Sequence, residues 1–308
     1  MKKIKLITLI IAVALIIACS SNSENRPLPV DTTGTHGPEK GSLVIVGGAM
    51  SDSAIVNKFI SLAGGLDAPI VIIPTASGDD TINEQRVARE FTSAGATNVT
   101  VLHTYDPVTA NQYQFVEPIR KASAVWFSGG RQWRLVDAYG GTLTEKEIRA
   151  LLDRGGVIGG SSAGATIQGS YLARGDTRGN TIMMGDHEQG FSYLTNSAVD
   201  QHLLVRNRQH DLIEIIQKHP HLLGIGLDEN TAIVVQGDEF EVIGESFVAI
   251  FDYNHWNENP ECTTPLPNDG RFFLLRSGDR YNVNTREVLS WRGGNTRNIF
   301  REPTGEGL

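Results

Sequence analysis

Short apolar runs alternate with amphipathic stretches from Ser42 onward, and this alternation limits the possible folds more than any other feature. The runs lie at residues 43–46, 70–73, 99–102, 122–127 and 156–160. Nearly continuous apolar runs separated by helices are typical of parallel strands covered on both faces. We therefore expect an open, doubly wound, mostly parallel α/β sheet that binds ligands beyond the carboxyl ends of its strands.

Helical spacing of apolar residues marks several stretches between the runs, including residues 84–94 and 144–154. The second of these begins with a Thr-x-x-Glu sequence from Thr144 to Glu147, which predicts a capping box at the start of the helix. We expect one folded domain over residues 42–308, with a β-rich C-terminal part.

The first eighteen residues read as a signal peptide. Three lysines near the N-terminus precede an apolar run over residues 6–18, which is too short to anchor a chain across a bilayer. The run ends in Ile-Ile-Ala-Cys and resembles a bacterial lipobox, in which Cys19 would carry the lipid. Residues 19–41 are rich in polar residues, proline and glycine, which predicts a flexible tether. We expect a lipid-anchored protein of the bacterial envelope, with the outer membrane favoured; the alternative is an ordinary signal peptide with an incidental cysteine.

The charge balance and the cysteine count exclude several classes of protein. Lys and Arg total 27 against 35 Asp and Glu, a net charge of -8, so a nucleic-acid partner is not expected. If Cys19 carries lipid, Cys262 is the remaining cysteine and an intramolecular disulfide is excluded. The sequence lacks metal-ligand spacings, a phosphate-binding loop and a dinucleotide-binding turn, so we expect no metal and no cofactor.

The sequence Gly-Ser-Ser-Ala-Gly at residues 160–164 fits the G-x-S-x-G pattern and directly follows a predicted strand. A sharp turn from strand to helix places the central serine, Ser162, at a helix N-terminus where backbone N–H groups stabilise an oxyanion. Ser162 is therefore the candidate nucleophile. The alternative is a turn of small residues that only permits close packing.

A serine hydroxyl needs a base to remove its proton. His202 is the candidate, because it lies in a dense polar cluster over residues 199–208. The orienting acid is expected between Ser162 and His202 in the chain. The carboxylates available there include Asp176, Asp186 and Glu188.

Four blocks of sequence together resemble the cyanophycinase branch of the serine peptidases that include the aspartyl dipeptidase peptidase E. They lie at residues 127–132, 159–165, 200–202 and 224–232. The resemblance extends from Leu43 to Arg286 and implies a class I glutamine-amidotransferase-like fold. It also implies that the nucleophile falls on Ser162 and the base on His202, with oxyanion donors at the backbone N–H groups of Gly130 and Ala163. Asp176 aligns best with the family's acidic loop and is the first choice for the orienting acid, with Glu188 and Asp186 as alternatives.

The resemblance further implies a set of substrate-binding side chains. These are Gln132, Asp200, Gln201, Arg206 and Arg208. Cyanophycinases have a third arginine that binds substrate carboxylates, and its position here is Asp211. An aspartate would repel an acidic substrate where an arginine attracts it. Asp228 and Glu229, in the fourth block, are expected to be structural members of a loop near the site.

The expected activity is hydrolysis of peptide or isopeptide bonds at aspartyl residues through an acyl-enzyme, with an aspartyl-containing peptide as substrate. Two alternatives remain open at this point. One is a catalytically silent surface-binding lipoprotein of the same fold, and the other is an esterase or amidase of different specificity. Because members of the family are commonly dimeric, a homodimer is also expected.

Overall fold

A computed structural model describes residues 36–51, 53–78, 82–253 and 272–292 of the chain. Within these ranges, no helix is both long enough and apolar enough to cross a membrane. The predicted signal peptide, most of the predicted tether and both cysteines, Cys19 and Cys262, lie outside the described residues.

The strands and helices follow one another in the alternating order that the sequence predicts for the first half of the chain. The strands are β1 (Ser42–Val46), β2 (Ile70–Ile73), β3 (Val99–Val101), β4 (Ala124–Phe127), β5 (Val157–Ser161), β6 (Gly169–Tyr171), β7 (Leu194–Gln201), β8 (Leu223–Leu227), β9 (Thr231–Gln236), β10 (Glu239–Gly244), β11 (Phe247–Phe251), β12 (Phe273–Arg276), β13 (Arg280–Asn282) and β14 (Glu287–Ser290). The helices are α1 (Ser53–Ala63), α2 (Glu84–Ser93), α3 (Pro107–Ala110), α4 (Tyr113–Lys121), α5 (Trp133–Tyr139), α6 (Leu143–Asp153), α7 (Ala163–Thr166) and α8 (Leu212–Lys218).

The centre of the molecule is a parallel sheet in the strand order β1-β5-β4-β2-β3. Side chains alternate between its two faces. Leu43 and Ile45 of β1 join the core cluster that contains residues of α4, α5 and α6, whereas Val44 and Val46 join the cluster that contains residues of α1 and α2. Every residue of β1, β2 and β4 is buried. This confirms the predicted α/β sheet with helices on both faces, and it explains why the strands read as continuous apolar runs.

Antiparallel strands extend the sheet beyond β1, in the order β9, β10, β13 and β14. A second sheet has the order β12-β11-β8-β7-β6, in which β6, β7 and β8 are parallel. Consequently β8 and β9, which follow each other in the chain, belong to different sheets. The turn between them therefore bridges the two sheets.

Helix α6 begins in a different way from the predicted capping box. Its N-cap is Thr142, and Thr144 lies inside the helix with its Oγ1 donating to the carbonyl of Ala110 at 2.8 Å. Glu145 accepts instead from the N–H of Gly141 at 2.7 Å. The capping-box prediction is wrong because a tertiary contact uses the threonine hydroxyl.

The last residues of the predicted tether belong to the folded domain. His36 is buried, its N–H donates to Asp238 Oδ1 at 2.5 Å, and its carbonyl accepts from the N–H of Thr195 at 2.8 Å. The N–H of Gly237 donates to the carbonyl of Pro38 at 3.0 Å. These contacts hold His36 and Pro38 against the start of β7 and the turn that precedes β10.

Candidate active site

Ser162 occupies the sharp turn between β5 and α7. Its backbone has φ 57° and ψ -111°, which a residue with a Cβ rarely adopts. A Cβ added at Gly160 would lie 2.3 Å from the carbonyl oxygen of Gly164, and one added at Gly164 would lie 2.1 Å from that of Phe127. The small residues of the motif are thus required by close backbone approach, and Ser162 stands in the strained position that the motif predicts.

His202 lies at the carboxyl end of β7, with its imidazole directed at the serine. The distance from Ser162 Oγ to His202 Nε2 is 2.9 Å, a hydrogen bond that suits direct proton transfer. The backbone N–H of His202 donates to the carbonyl of Gly47 at 2.8 Å, which ties the end of β7 to the end of β1. The structure therefore brings together the two residues that the sequence predicts as nucleophile and base.

Glu229 orients the imidazole, in place of the acid predicted from the sequence. His202 Nδ1 and Glu229 Oε1 are 2.6 Å apart. The glutamate fixes the tautomer in which Nδ1 carries the proton, so that Nε2 is free to accept a proton from Ser162. Sequence reasoning treated Glu229 as a structural loop residue.

Asp176 is engaged elsewhere, and its predicted role is wrong. Its carboxylate accepts from the backbone N–H of Arg178 at 2.8 Å and from the guanidinium of the same residue at 3.0 and 3.1 Å. The two alternatives are also occupied: Glu188 accepts from Tyr171 Oη at 3.1 Å, and Asp186 accepts from the N–H of Thr177 at 3.0 Å. All three acids serve the loop between β6 and β7.

A topological signal for Glu229 was present in the sequence. The acid follows the apolar run that forms β8, and β8 lies parallel to β7 in the second sheet. Parallel neighbours end at the same edge, so the residues after β8 lie beside His202 at the end of β7. The expectation that the acid precedes the histidine in the chain concealed this, although hydrolases with the same geometry use several chain orders.

The pKa of His202 is lowered from its ordinary value of 6.5. Burial is the largest cause, because it disfavours the charged imidazolium, and the guanidinium groups of Arg206 and Arg208 act in the same direction. Glu229 opposes them by stabilising the charged form. The imidazole is therefore neutral at pH 7 and able to act as a general base.

The turn after β4 faces the nucleophile. A Cβ added at Gly129 would lie 3.4 Å from Ser162 Cβ and 3.8 Å from its Oγ, so this glycine packs directly against the serine. Gly130 has φ 143°, and a Cβ there would lie 2.0 Å from the carbonyl oxygen of Ala76. Ala163 is the first residue of α7. The structure thus places the predicted oxyanion residues, Gly130 and Ala163, on the two turns that flank Ser162, with Gly129 the nearer glycine.

The other predicted substrate residues are held mainly by internal contacts. Gln132 is 2% exposed, and its Nε2 donates to the carbonyl of Ala173 at 2.6 Å. Gln201 accepts from Arg208 Nη1, through its side-chain Oε1 at 2.8 Å and its backbone carbonyl at 3.0 Å. The residues that follow His202 form a turn, and Arg206 is exposed on it while Arg208 is buried.

Asp211 is paired with a buried arginine that sequence reasoning missed. Arg174 Nη2 donates to the Asp211 carboxylate, and the same guanidinium binds Asp200 in two places, through Nε at 2.7 Å and Nη2 at 3.1 Å. Arg174 Nη1 donates to the carbonyl of Asn180 at 2.6 Å. The charge of Asp211 is thus compensated within the protein. No pattern in the sequence connects residue 174 with residues 200 and 211, because the contact depends on the packing of the loop after β6 against the end of β7.

The pKa of Arg208 is lowered from its ordinary value. Burial is the largest cause, and the positive charge of the neighbouring Arg174 acts in the same direction. The guanidinium groups of Arg206 and Arg208 both lie near enough to His202 to lower the pKa of its imidazole. In the part of the chain that the structure describes, no group of three or more His, Cys, Asp or Glu side chains is arranged to hold a metal ion.

Known proteins match this chain in sequence and in fold. The profile of peptidase family S51 matches residues 43–243. The chain is 34% identical to a cyanophycinase from Geminocystis herdmanii, over 82% of this chain and 97% of that protein. It is 33% identical to a cyanophycinase from Nostoc sp. (strain PCC 7120), over 81% of this chain and 88% of that protein.

A solved structure of a peptidase from an acI-B1 Actinobacterium shares the fold, with a TM-score of 0.60 and 24% identity over 80% of this chain and 98% of that one. The α/β architecture agrees with the class I glutamine-amidotransferase-like fold expected from the sequence. From the sequence match and the arrangement of the site, the chain belongs to peptidase family S51 and is a serine hydrolase of the cyanophycinase-like type.

Proposed function

We propose that this protein hydrolyses peptide or isopeptide bonds at aspartyl residues through an acyl-enzyme, with Ser162 as nucleophile, His202 as general base and Glu229 as the orienting acid. The observation that carries the proposal is the continuous hydrogen-bonded relay from Ser162 through His202 to Glu229, at 2.9 and 2.6 Å. A relay of this kind activates a serine hydroxyl that is otherwise a weak nucleophile.

The relay supports the following sequence of steps. His202 Nε2 accepts the hydroxyl proton as Ser162 Oγ attacks the carbonyl carbon, and the resulting oxyanion accepts hydrogen bonds from backbone N–H groups of Ala163 and of the turn at Gly129 and Gly130. The imidazolium, stabilised by Glu229, then gives the proton to the leaving amine as the peptide bond breaks. Water attacks the ester with His202 again acting as base, and the acid product leaves as Ser162 is regenerated.

Preference for an aspartyl carboxylate is supported by the cations beside the base. Arg206 and Arg208 follow His202 on the same turn, and a guanidinium binds a carboxylate through paired hydrogen bonds. Arg174 pairs with the carboxylates of both Asp211 and Asp200, so it offsets one of these two negative charges and the buried Arg208 offsets the other. Arg206, exposed on the turn, is then the cation available to a substrate carboxylate next to the scissile bond.

We also propose that the protein is exported and held to the bacterial cell envelope, with the outer membrane favoured, by a lipid on Cys19. The support is the lipobox-like sequence that ends the N-terminal apolar run. A homodimer is a further prediction. The anchor is tested by metabolic labelling of the native chain and of Cys19→Ala with a fatty-acid analogue. The dimer is tested by light scattering of purified Cys19→Ala.

The activity is tested with the chain that begins after Cys19, incubated with cyanophycin and with matched α- and β-aspartyl dipeptides. We expect mass spectrometry to show cleavage of aspartyl substrates, and Ser162→Ala to abolish it. A control variant has to lie outside the site, so Asp200 and Arg208 are not suitable positions for it. Leu66→Gln, at an exposed position three residues beyond α1, is the matched surface control.

Two results would contradict the proposal in different ways. Folded protein that does not react with a fluorophosphonate at Ser162 would indicate a silent binding protein. Rapid hydrolysis of simple acyl esters, with no discrimination between aspartyl dipeptides and their alanyl analogues, would indicate an esterase or amidase of other specificity.

A further inference from the structure

The carboxylate of Asp228, next to Glu229 in the chain, binds the backbone that follows His202. Its Oδ1 accepts hydrogen bonds from the N–H groups of Leu204 at 2.9 Å and Val205 at 3.0 Å. Its Oδ2 accepts from Ser246 Oγ at 2.7 Å. Asp228 is 4% exposed, so these bonds are shielded from competition by water and are stronger than surface contacts.

The turn that Asp228 binds holds an unfavourable conformation. His202 has φ 56°, in the left-handed region that residues with a Cβ avoid. Its N–H donates to the carbonyl of Gly47 at 2.8 Å, and the next N–H, of Leu203, donates to the carbonyl of Leu227 at 3.1 Å. The next two N–H groups, those of Leu204 and Val205, donate to the Asp228 carboxylate. Four successive N–H groups are thus held, two by strand ends and two by one side chain.

Asp228 and Glu229 therefore contact the same segment at two points. Glu229 holds the imidazole at 2.6 Å, and its neighbour holds the backbone just beyond that imidazole. We infer that Asp228 is a positioning residue: by fixing the turn relative to the backbone of Glu229, it keeps the His202 imidazole in line between Glu229 and Ser162. This inference rests on the proposed function, because it assigns Asp228 to the same relay.

Two substitutions separate geometry from charge. In Asp228→Asn the amide oxygen can accept both backbone N–H groups while the amide nitrogen donates to Ser246 Oγ, so the contacts are retained without the charge. In Asp228→Glu the charge is retained, but the carboxylate is displaced by one methylene. We expect Asp228→Asn to label Ser162 at a rate within about threefold of the wild type. We expect Asp228→Glu to label it about 100-fold more slowly, because a displacement of about 1 Å in a relay costs roughly that factor in rate.

Asp228→Ala and Ser246→Ala complete the series. Asp228→Ala leaves the N–H groups of Leu204 and Val205 without their acceptor. We expect the rate of labelling of Ser162 to fall about 100-fold or more as the turn relaxes. Ser246→Ala is the matched control, because it removes one hydrogen bond of the same carboxylate and leaves both contacts to the turn. We expect it to stay within about threefold of the wild type.

The readout is the rate of fluorophosphonate labelling of Ser162 as a function of pH, normalised to the folded fraction measured by circular dichroism. Nuclear magnetic resonance titration of the His202 imidazole provides a second readout that requires no activity. Because Glu229 raises the pKa of His202, a loosened contact in Asp228→Ala and Asp228→Glu should lower that pKa further, whereas Asp228→Asn and Ser246→Ala should leave it in place.

The inference is overturned if folded Asp228→Ala labels at the wild-type rate with an unchanged pH profile, which would show a role in stability alone. It is also overturned if Asp228→Asn is as slow as Asp228→Ala, because charge and not position would then be responsible. If the alanine variant does not fold, the Asn and Glu pair decides. If the wild type itself does not label, the proposed hydrolase function fails, and the His202 titration still decides whether Asp228 positions the imidazole.

Discussion

Substitution of Gly48 by alanine should disable the relay by displacing the His202 imidazole. A Cβ added at Gly48 would lie 2.3 Å from Cε1, 2.5 Å from Nδ1 and 3.0 Å from Nε2 of the His202 ring. Real Cβ atoms essentially never come within 3.0 Å of a heavy atom outside their own residue and its two chain neighbours. The imidazole therefore has to move by about 1 Å, which breaks its alignment with Ser162 and Glu229.

The size of the effect has two parts. Gly48 has φ 134°, and forcing a residue with a Cβ into such a conformation costs about 1–2 kcal/mol of stability. Displacement of the base acts on the rate: a misplacement of about 1 Å costs about 100-fold, and complete loss of the base costs about a million-fold. We expect kcat to fall between these limits, equivalent to about 3–8 kcal/mol of transition-state stabilisation.

Gly65→Ala is the matched control for the backbone strain. Gly65 has φ 107°, and a Cβ there would meet nothing within 4 Å. Urea unfolding of both variants measures the stability cost, and steady-state kinetics measures kcat and KM. We expect both variants to lose similar stability and only Gly48→Ala to lose kcat.

A double-mutant cycle with His202→Ala tests the cause. If Gly48→Ala acts through the imidazole, it should have little further effect once the ring is absent. The reasoning would be refuted if Gly48→Ala reduced the residual activity of His202→Ala by the same factor as it reduces the wild type, or if Gly48→Ala retained wild-type kcat.

The remaining predictions concern the relay and the buried charges. Glu229→Gln should lower kcat about 10,000-fold, as loss of the correct tautomer does in related relays, while Asp176→Asn should leave kcat within about threefold; steady-state kinetics distinguishes them. Because the pKa of His202 is below 6.5 and the neutral imidazole is the active form, kcat/KM should rise with pH through that lowered pKa and be flat near neutrality; a limb centred above 6.5 would contradict this. Arg174→Met should lower the free energy of unfolding by about 3–5 kcal/mol in urea titrations, because it leaves two carboxylates without their buried partner, and a loss below about 1 kcal/mol would show that the cluster is solvated.

The parallel sheet and the nucleophile turn could be predicted because both depend on local patterns. Continuous apolar runs report strands buried on both faces, and the small residues around Ser162 report a turn in which backbones approach closely. The antiparallel extension through β9, β10, β13 and β14 could be predicted only as a β-rich part, because the pairing of β9 with β1 and of β13 with β10 joins segments that are distant in the chain.

The acid of the relay shows where local reasoning fails. Asp176 is the acid that aligns best with the family's acidic loop, yet Arg178, two residues later, binds its carboxylate. Glu229 reaches His202 because β7 and β8 are parallel neighbours, a relation that involves residues 27 positions apart. Likewise Asp211 suggested repulsion of an acidic substrate, and only the structure shows that its carboxylate is paired with Arg174, 37 residues earlier in the chain.

The amino-acid sequence alone determined the α/β class of this protein and the turn that carries Ser162, because both are encoded in the type and spacing of neighbouring residues, whereas the choice of His202 rested also on the resemblance to cyanophycinases. The tertiary structure decided which carboxylate orients the histidine, which glycines it requires and which charges remain available to a substrate. Those properties depend on distances between segments that are far apart in the chain, and such distances exist only after the two sheets have packed.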